Sequence, residues 1–355
     1  MQNYSRIIST GSYLPEKILT NKDLEKMVDT SHEWIIERTG IESRHIASED
    51  ESSVDMAYNA SINAIKNAGI DSNTIDMIIV ATTTPERKFP STAVLLQNKL
   101  KNNRAFAFDL NAACTGFIYA LDIANTYIKN GVANRVLVVG TEKITSLLDW
   151  SDRNTCVLFG DGAGAAVLAS SDIPGILSNT IGSDGAYKDL LTVNTDREVI
   201  EMSGNDVFKI AVNTMGKLAA ETLEKNDMTV DSVDWLIPHQ ANSRIINAVA
   251  RKINLPEEKI VMTLKTHGNT SAASIPLALD YANSNKLIKK DDVVFTGIGL
   301  NNNLWVNFKN EIVSIGDCDT DGNIRPNSTM EKLDGLKLAF DENGTVTVKK
   351  YKILS

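Results

Sequence analysis

The sequence has 355 residues, with 36 basic and 45 acidic side chains giving a formal charge of −9, and it is 43% hydrophobic and 23% charged. That is globular composition, with enough chain for two domains or one large duplicated one. The acidic balance argues against nucleic acid as a partner, and no apolar run approaches the ~20 residues that span a bilayer.

Three cysteines, Cys114, Cys156 and Cys318, are too few and too scattered for a disulfide scaffold or a zinc site. Met1 to Arg6 lack a signal peptide's apolar stretch, so a cytoplasmic enzyme is expected. Along the chain, Val54 to Ala68 predicts an amphipathic helix closed by Gly69, and Ile78 to Thr82 a buried strand. A strand over Ala105 to Leu110, a helix over Phe117 to Lys129 and a strand over Val136 to Gly140 follow, and Ala165 to Ala169 closes this half. The rhythm then repeats. Helices are expected at Val207 to Lys225, Ser243 to Ile253 and Ser271 to Ala282, with strands at Val233 to Pro238 and Asp292 to Thr296. Strands alternating with helices predict an α/β fold with a mostly parallel sheet, split into halves at 1–170 and 171–315.

Residues 316–355 read differently. They are polar and turn-rich, and Leu336 to Phe340 and Thr345 to Val348 alternate like a hairpin around Asp341 to Gly344. A short β-rich C-terminal extension is expected. Asp317 to Ile324 has the spacing that begins a calcium loop, but Ser328 stands where a bidentate glutamate belongs, so an acidic turn and no metal are expected.

Three junctions between strand and helix carry chemistry. Cys114, in Asn111 to Phe117, follows a strand and precedes a helix, where free N–H groups and the helix dipole favour a thiolate. His239 stands just past the strand ending at Pro238, and Asn269 lies in a tight turn, His267-Gly268-Asn269, before a helix. Strand ends facing helix starts are where open α/β sheets collect ligands. A cysteine, a histidine and an asparagine at three such places supply a nucleophile and two N–H donors, whereas any one alone is usually structural.

These motifs, with Gly11 to Pro15, Thr30 to Trp34, Arg38 to Ile41, Phe159 to Ala165, Pro238 to Asn242 and His267 to Ala272, resemble β-ketoacyl-acyl-carrier-protein synthase III of the thiolase superfamily. The resemblance runs from about Ile7 to Val294, with the motifs in family order. It implies a thiolase-like, duplicated αβαβα five-layered fold, a homodimer, and decarboxylating condensation of an acyl-CoA with malonyl-acyl-carrier protein. By resemblance Cys114 would hold the acyl group as a thioester, while His239 and Asn269 would stabilise the enolate formed when carbon dioxide leaves. Trp34 and Arg153 resemble a pair that sandwiches the CoA adenine, with Thr30 and Arg38 nearby, and Asn242 resembles a residue that bonds the pantetheine arm. Phe89 resembles one reaching into the partner's acyl pocket. Coenzyme A enters as substrate, so no cofactor is expected. Arg244 and Arg251, seven apart on one helix face, could dock an acidic carrier protein, joined by Lys209 and Lys252.

The chain departs from the family's glycine-triplet loop at Gly297 to Asn303, where Gly299 is the nominated second oxyanion donor beside the Cys114 N–H. Leucine and isoleucine resist the backbone angles that glycine permits, so a shifted acyl preference is expected. Two other readings stand beside the condensing enzyme. One is a specialised relative of secondary metabolism with a different acyl donor or acceptor. The other is an inactive paralogue serving as partner subunit, against which the retention of all three catalytic residues argues.

Overall fold

Ser52 accepts the backbone N–H of Asp55, and the Asp55 carboxylate accepts the N–H of Ser52, so a reciprocal cap starts the Ser53–Ala68 helix. Gly69, with φ of 65°, ends it in the left-handed conformation that glycine adopts without strain. The helix, strand and buried positions described here come from a computed structural model that covers residues 4–194, 196–289, 292–298 and 302–307, all inside the compact unit Met1–Ser314. The predicted hairpin, the calcium-like turn, Gly299, Leu300 and Asn301 lie outside the described residues.

The first sheet runs in the order Tyr4–Tyr13, Gly162–Ser171, Arg135–Glu142, Met77–Ala81, Phe106–Leu110. Met77–Ala81 is parallel to both neighbours, and Gly162–Ser171 is antiparallel to both of its own. The expected mostly parallel sheet is therefore mixed. A parallel pair needs a long crossover, usually helical, and the chain between Glu142 and Gly162 contains no α-helix that could return it. The second sheet, Trp235–Pro238, Val293–Ile298, Asn302–Asn307, Ile176–Thr180, has one parallel pair followed by two antiparallel ones. The antiparallel register of its Val293–Ile298 and Asn302–Asn307 strands pairs Gly297 with Asn303 and Ile298 with Asn302.

Met77, Ile79, Val136 and Val138 face one side of the first sheet and Ile78, Val80, Leu137 and Val139 the other, all fully buried. Burial on both faces is why these strands read as unbroken apolar runs. Phe117, Leu121, Ala124 and Ile128 of the Gly116–Lys129 helix, with Ile275, Ala278 and Ala282 of the Ser274–Ser284 helix, fill the space between the sheets and meet Ile237 and Val294 of the second. Fully burying a side chain such as Phe117 or Ile128 contributes about 1.5–3 kcal/mol. Ser53–Ala68 and Thr92–Lys99 cover the outer face of the first sheet. Gly204–Lys225 and Ser243–Lys252 cover the second. The result is a thiolase-like αβαβα arrangement of five layers.

Some predicted edges move. The stretch expected as a single helix from Ser271 begins as a 3₁₀ turn, Ser271–Ala273, before Ser274–Ser284, and a 3₁₀ turn, Ala113–Thr115, carries Cys114 into its helix. The edge strand Tyr4–Tyr13 had no signal in the sequence. Its buried side chains include Ser5, Ser9 and Thr10, whose hydroxyls bond Asn125, the Ala64 carbonyl and Asp280, so polar residues fill inward positions.

Candidate active site

The central helices Gly116–Lys129 and Ser274–Ser284 both start at the same end of the inter-sheet layer, and their leading 3₁₀ turns pack together. Gly116 lets the Cys114 turn approach Ala81, because a Cβ there would lie 2.9 Å from the Ala81 Cβ. Ala113, immediately before the cysteine, has φ of 46°, a strained value for a side-chain-bearing residue of the kind that collects at functional sites. Cys114 itself is half-buried.

His239 follows the strand Trp235–Pro238 and is buried, with Nδ1 2.6 Å from Ser274 Oγ at the head of the second central helix. That oxygen also accepts the Gln240 backbone N–H at 3.4 Å, which favours the arrangement in which the serine proton is donated to Nδ1. The imidazole proton then sits on Nε2, an assignment that follows from the partners. Burial holds the ring down at about pKa 4, so it is neutral and donates from Nε2.

Asn269 is fixed at both ends of its backbone. Its N–H donates to the Leu158 carbonyl at 2.9 Å and its carbonyl accepts from Gly160 N–H at 3.1 Å. Its side-chain Oδ1 accepts the Ser271 N–H at 2.9 Å, which leaves the amide Nδ2 as its free donor. The preceding Gly268, φ 67°, lies 3.1 Å, measured from an added Cβ, from both Arg44 Cβ and the Leu158 carbonyl. A side chain there would be strained and crowded at once. Cys114, His239 and Asn269 all line one cavity of about 1030 Å³, together with Trp34, Arg38, Asn242 and Arg244. Among the described residues no group of three His, Cys, Asp or Glu is arranged to hold a metal, and no helix is long and apolar enough to cross a membrane.

The thiolate expectation is modified. Burial pushes the Cys114 thiol up to about 11, and the nearby Glu142 carboxylate adds to the rise, while the neighbouring Ser271 hydroxyl pulls the other way. The cysteine rests as a thiol, because desolvation of the anion outweighs what a single helix start offers.

The outer residues divide. Arg153 stacks over Trp34 at 5.1 Å and Arg38 lies 5.9 Å from the same ring. A planar group held between two others needs about 7 Å, two van der Waals separations, so in this arrangement Arg153 and Trp34 leave no room for a purine between them. Thr30 contributes a buried hydroxyl with no hydrogen-bond partner. Asn242 is already used at both ends: Oδ1 caps the Ser243–Lys252 helix and Nδ2 donates to the Arg38 carbonyl at 2.9 Å. That leaves one Nδ2 proton for a ligand. Phe89 is 84% exposed and is not among the residues that line this cavity. On the helix above the cavity Ile245, Ile246 and Val249 are buried, with Arg244 and Arg251 exposed, as the spacing predicted. Arg244 lies over Phe208 at 5.6 Å, Lys209 pairs with Asp206 at 3.6 Å, and Lys252 reaches Asn213 Oδ1 at 3.1 Å. Sequence reasoning passed over Ser271, Ser274 and Glu142, since a serine at a helix start and a glutamate at a strand end carry no distinguishing pattern.

A thiol, a neutral imidazole donor and an amide donor opening into one cavity between the halves of a thiolase-like fold define a condensing or acyl-transferring enzyme. The family 3-Oxoacyl-[acyl-carrier-protein (ACP)] synthase III matches residues 108–185, and its C-terminal counterpart matches residues 223–303. The chain is 53% identical over 302 residues to the beta-ketoacyl-[acyl-carrier-protein] synthase III of Thioalkalivibrio sulfidiphilus, covering 82% of this chain and 94% of that one. It is also 53% identical over 303 residues to that of Methylococcus capsulatus, covering 83% and 94%. The crystal structure of the 3-oxoacyl-[acyl-carrier-protein] synthase III of Aquifex aeolicus superposes with a TM-score of 0.83 at 46% identity, over 85% of this chain and 99% of that one. The priming β-ketosynthase of the R1128 polyketide pathway gives 0.82 at 36% identity, over 86% and 96%. The chain belongs to the β-ketoacyl-acyl-carrier-protein synthase III family.

Proposed function

We propose that this chain condenses an acyl-CoA, acetyl-CoA first among them, with malonyl-acyl-carrier protein to a 3-oxoacyl-carrier protein, and so initiates fatty-acid synthesis. The observation that carries the reading is the opening of Cys114, His239 and Asn269 onto one cavity. Cys114 Sγ attacks the acyl-CoA thioester, the CoA sulfur leaves with a proton, and the acyl group stays on the cysteine. Malonyl-carrier protein then enters and loses carbon dioxide. The electron pair of the broken C–C bond moves toward the thioester oxygen, which faces the His239 Nε2–H and the Asn269 Nδ2–H. A neutral histidine with its proton on Nε2 can make this hydrogen bond as it stands. The enolate carbon attacks the acyl-cysteine carbonyl, and sulfur departs. During both acyl steps the oxyanion meets the Cys114 backbone N–H and that of Gly299.

The remaining assignments belong to the same proposal. Trp34, Arg38, Arg153, Thr30 and Asn242 hold coenzyme A, with the guanidinium stacking on Trp34 supporting a purine site. Arg244 and Arg251 meet the acidic carrier, assisted by Lys209 and Lys252. The large exposed Phe89 ring supports a homodimer in which it fills the partner's acyl pocket. The chemistry calls for no resident cofactor or metal, and the enzyme works in the cytoplasm.

A specialised relative with another acyl donor is the second reading, favoured by the Leu300 and Asn301 departure and by the likeness to a polyketide priming enzyme. A panel of acyl-CoAs with malonyl-carrier protein separates them, following carbon dioxide release and product mass. Acetyl-CoA giving the highest kcat/KM supports the initiating role, and turnover confined to longer or branched donors supports the second reading. Absence of carbon dioxide release with every donor contradicts both.

A further inference from the structure

Glu142 ends the strand Arg135–Glu142 at 0% exposure. Its carboxylate accepts the Thr83 N–H at 3.1 Å, the Thr83 hydroxyl at 3.0 Å, the Thr84 hydroxyl at 2.6 Å and the Ser271 hydroxyl at 3.2 Å. Among the described residues no cation pairs with it. A buried unpaired carboxylate is costly and calls for an explanation. The adjacent Lys143 turns its ammonium to the carbonyls of Ser48, Glu49 and Glu51 instead. Asp161, one residue before the strand paired with Glu142, is engaged by Thr145 and by the Ala47 N–H. The titratable group that faces the carboxylate across Ser271 is Cys114. Ser271, held at an unfavourable φ of 48° in the 3₁₀ turn that packs against the one carrying Cys114, donates its hydroxyl to the carboxylate and keeps lone pairs on the same oxygen to accept from a thiol.

The mechanism needs such a group. Cys114 rests as a thiol, and His239, carrying its proton on Nε2 and neutral to low pH, is a donor toward the cavity and a poor acceptor. Burial raises Glu142 above the usual carboxylate range against the pull of its threonine donors, which makes it a better proton acceptor than an exposed glutamate.

We propose that Glu142, working through the Ser271 hydroxyl, takes the Cys114 thiol proton as the cysteine attacks its acyl donor and returns it when the cysteine is released. The inference rests on Cys114 being the nucleophile. As the S–H bond breaks, its proton passes to Ser271 Oγ while the serine proton passes to Glu142 Oε1, leaving sulfur to form the new C–S bond. The departing CoA sulfur takes a proton from solvent. After condensation the cysteine sulfur leaves as an anion and recovers a proton from Glu142 by the reverse transfer, so one solvent proton is consumed per turnover, matching the loss of carbon dioxide from a carboxylate. Glu142 touches no substrate and is a positioning residue that stores the proton.

The test follows acetyl transfer from acetyl-CoA to Cys114 by rapid quench and mass spectrometry between pH 6 and 9. Glu142→Gln and Ser271→Ala are each expected to slow it about 10²-fold at neutral pH and to make the rate climb tenfold per pH unit, where the wild type is nearly level. Glu142→Asp should recover part of the rate. Decarboxylation of malonyl-carrier protein by variants loaded with acetyl at high pH should stay within a few-fold of wild type. Unchanged or faster loading in both variants overturns the proposal, since a carboxylate that merely burdens the thiol predicts that result. Equal loss of both half-reactions with an unmoved pH profile also overturns it, because that is a structural role. Should Glu142→Gln not fold, Ser271→Ala, which keeps the backbone N–H that holds Asn269, decides alone. Failure of the wild type to load acetyl contradicts the nucleophile assignment itself and is seen before any variant is compared.

Discussion

Ser274 turns His239 into a donor, and the consequence is visible in pH. A ring buried beneath the cavity and shifted down to about 4 stays neutral as the pH falls through the ordinary histidine range. Protonation would begin only as the pH nears 4, so decarboxylation by acetyl-loaded enzyme should be flat from pH 8 to 5 and fall below that. Nitrogen NMR of the labelled protein should show the Nε2–H tautomer across the same range, and a midpoint near 6.5 with a matching loss of rate contradicts the assignment. At this scale Cys114, His239 and Asn269, which line one cavity, stand out in the chain because their types at three such junctions are rare in combination. Their supports do not: Ser271, Ser274 and Glu142 act by proximity across 35 to 129 positions of sequence, and nothing local to any of them marks that contact.

Phe159 to Ala165 is legible as a motif, yet what it does emerges only from packing. Gly160 brings its backbone against the His267-Gly268-Asn269 turn, where an added Cβ would lie 2.5 Å from the His267 carbonyl. Asp161 ties the same loop to Ala47 and Thr145, and Gly164 admits the Ser274–Ser284 helix, 2.7 Å from Leu277 N to an added Cβ. The glycines thus join the element carrying Asn269 to the first sheet. Gly160→Ala should cost about 1–3 kcal/mol through overpacking. A urea midpoint should register that loss, and decarboxylation should fall further than acetyl loading because Asn269 moves. Gly185→Ala, with nothing within 4 Å, is the control. A Gly160→Ala protein of unchanged midpoint and decarboxylation rate contradicts the role given to the motif. Long apolar elements such as Ile78 to Val80 and the helix over Val54 to Ala68 were legible for the reason that burial and caps leave a local signal. Strand direction was not, since it depends on how the chain returns, and the Tyr4–Tyr13 edge was hidden by its inward serines and threonine.

In the whole molecule, five layers bring the starts of two central helices to one end, and the chemistry divides between the halves. In the proposed reaction the nucleophile Cys114 and its carboxylate Glu142 come from residues 1–170, and the two enolate donors, His239 and Asn269, from residues 171–315. That division makes the half-reactions separable. The most direct measurement is peptide mass spectrometry of the enzyme given acetyl-CoA and then malonyl-carrier protein, on wild type, Cys114→Ser and Asn269→Ala. One acetyl group on the Cys114 peptide of the wild type, discharged by malonyl-carrier protein, is expected, with none on Cys114→Ser. Asn269→Ala should load acetyl normally and discharge it about 10²–10³ times more slowly, the usual cost of one oxyanion donor. Formation of 3-oxoacyl-carrier protein without acetyl ever appearing on Cys114, or near wild-type turnover by Cys114→Ser, would contradict the account.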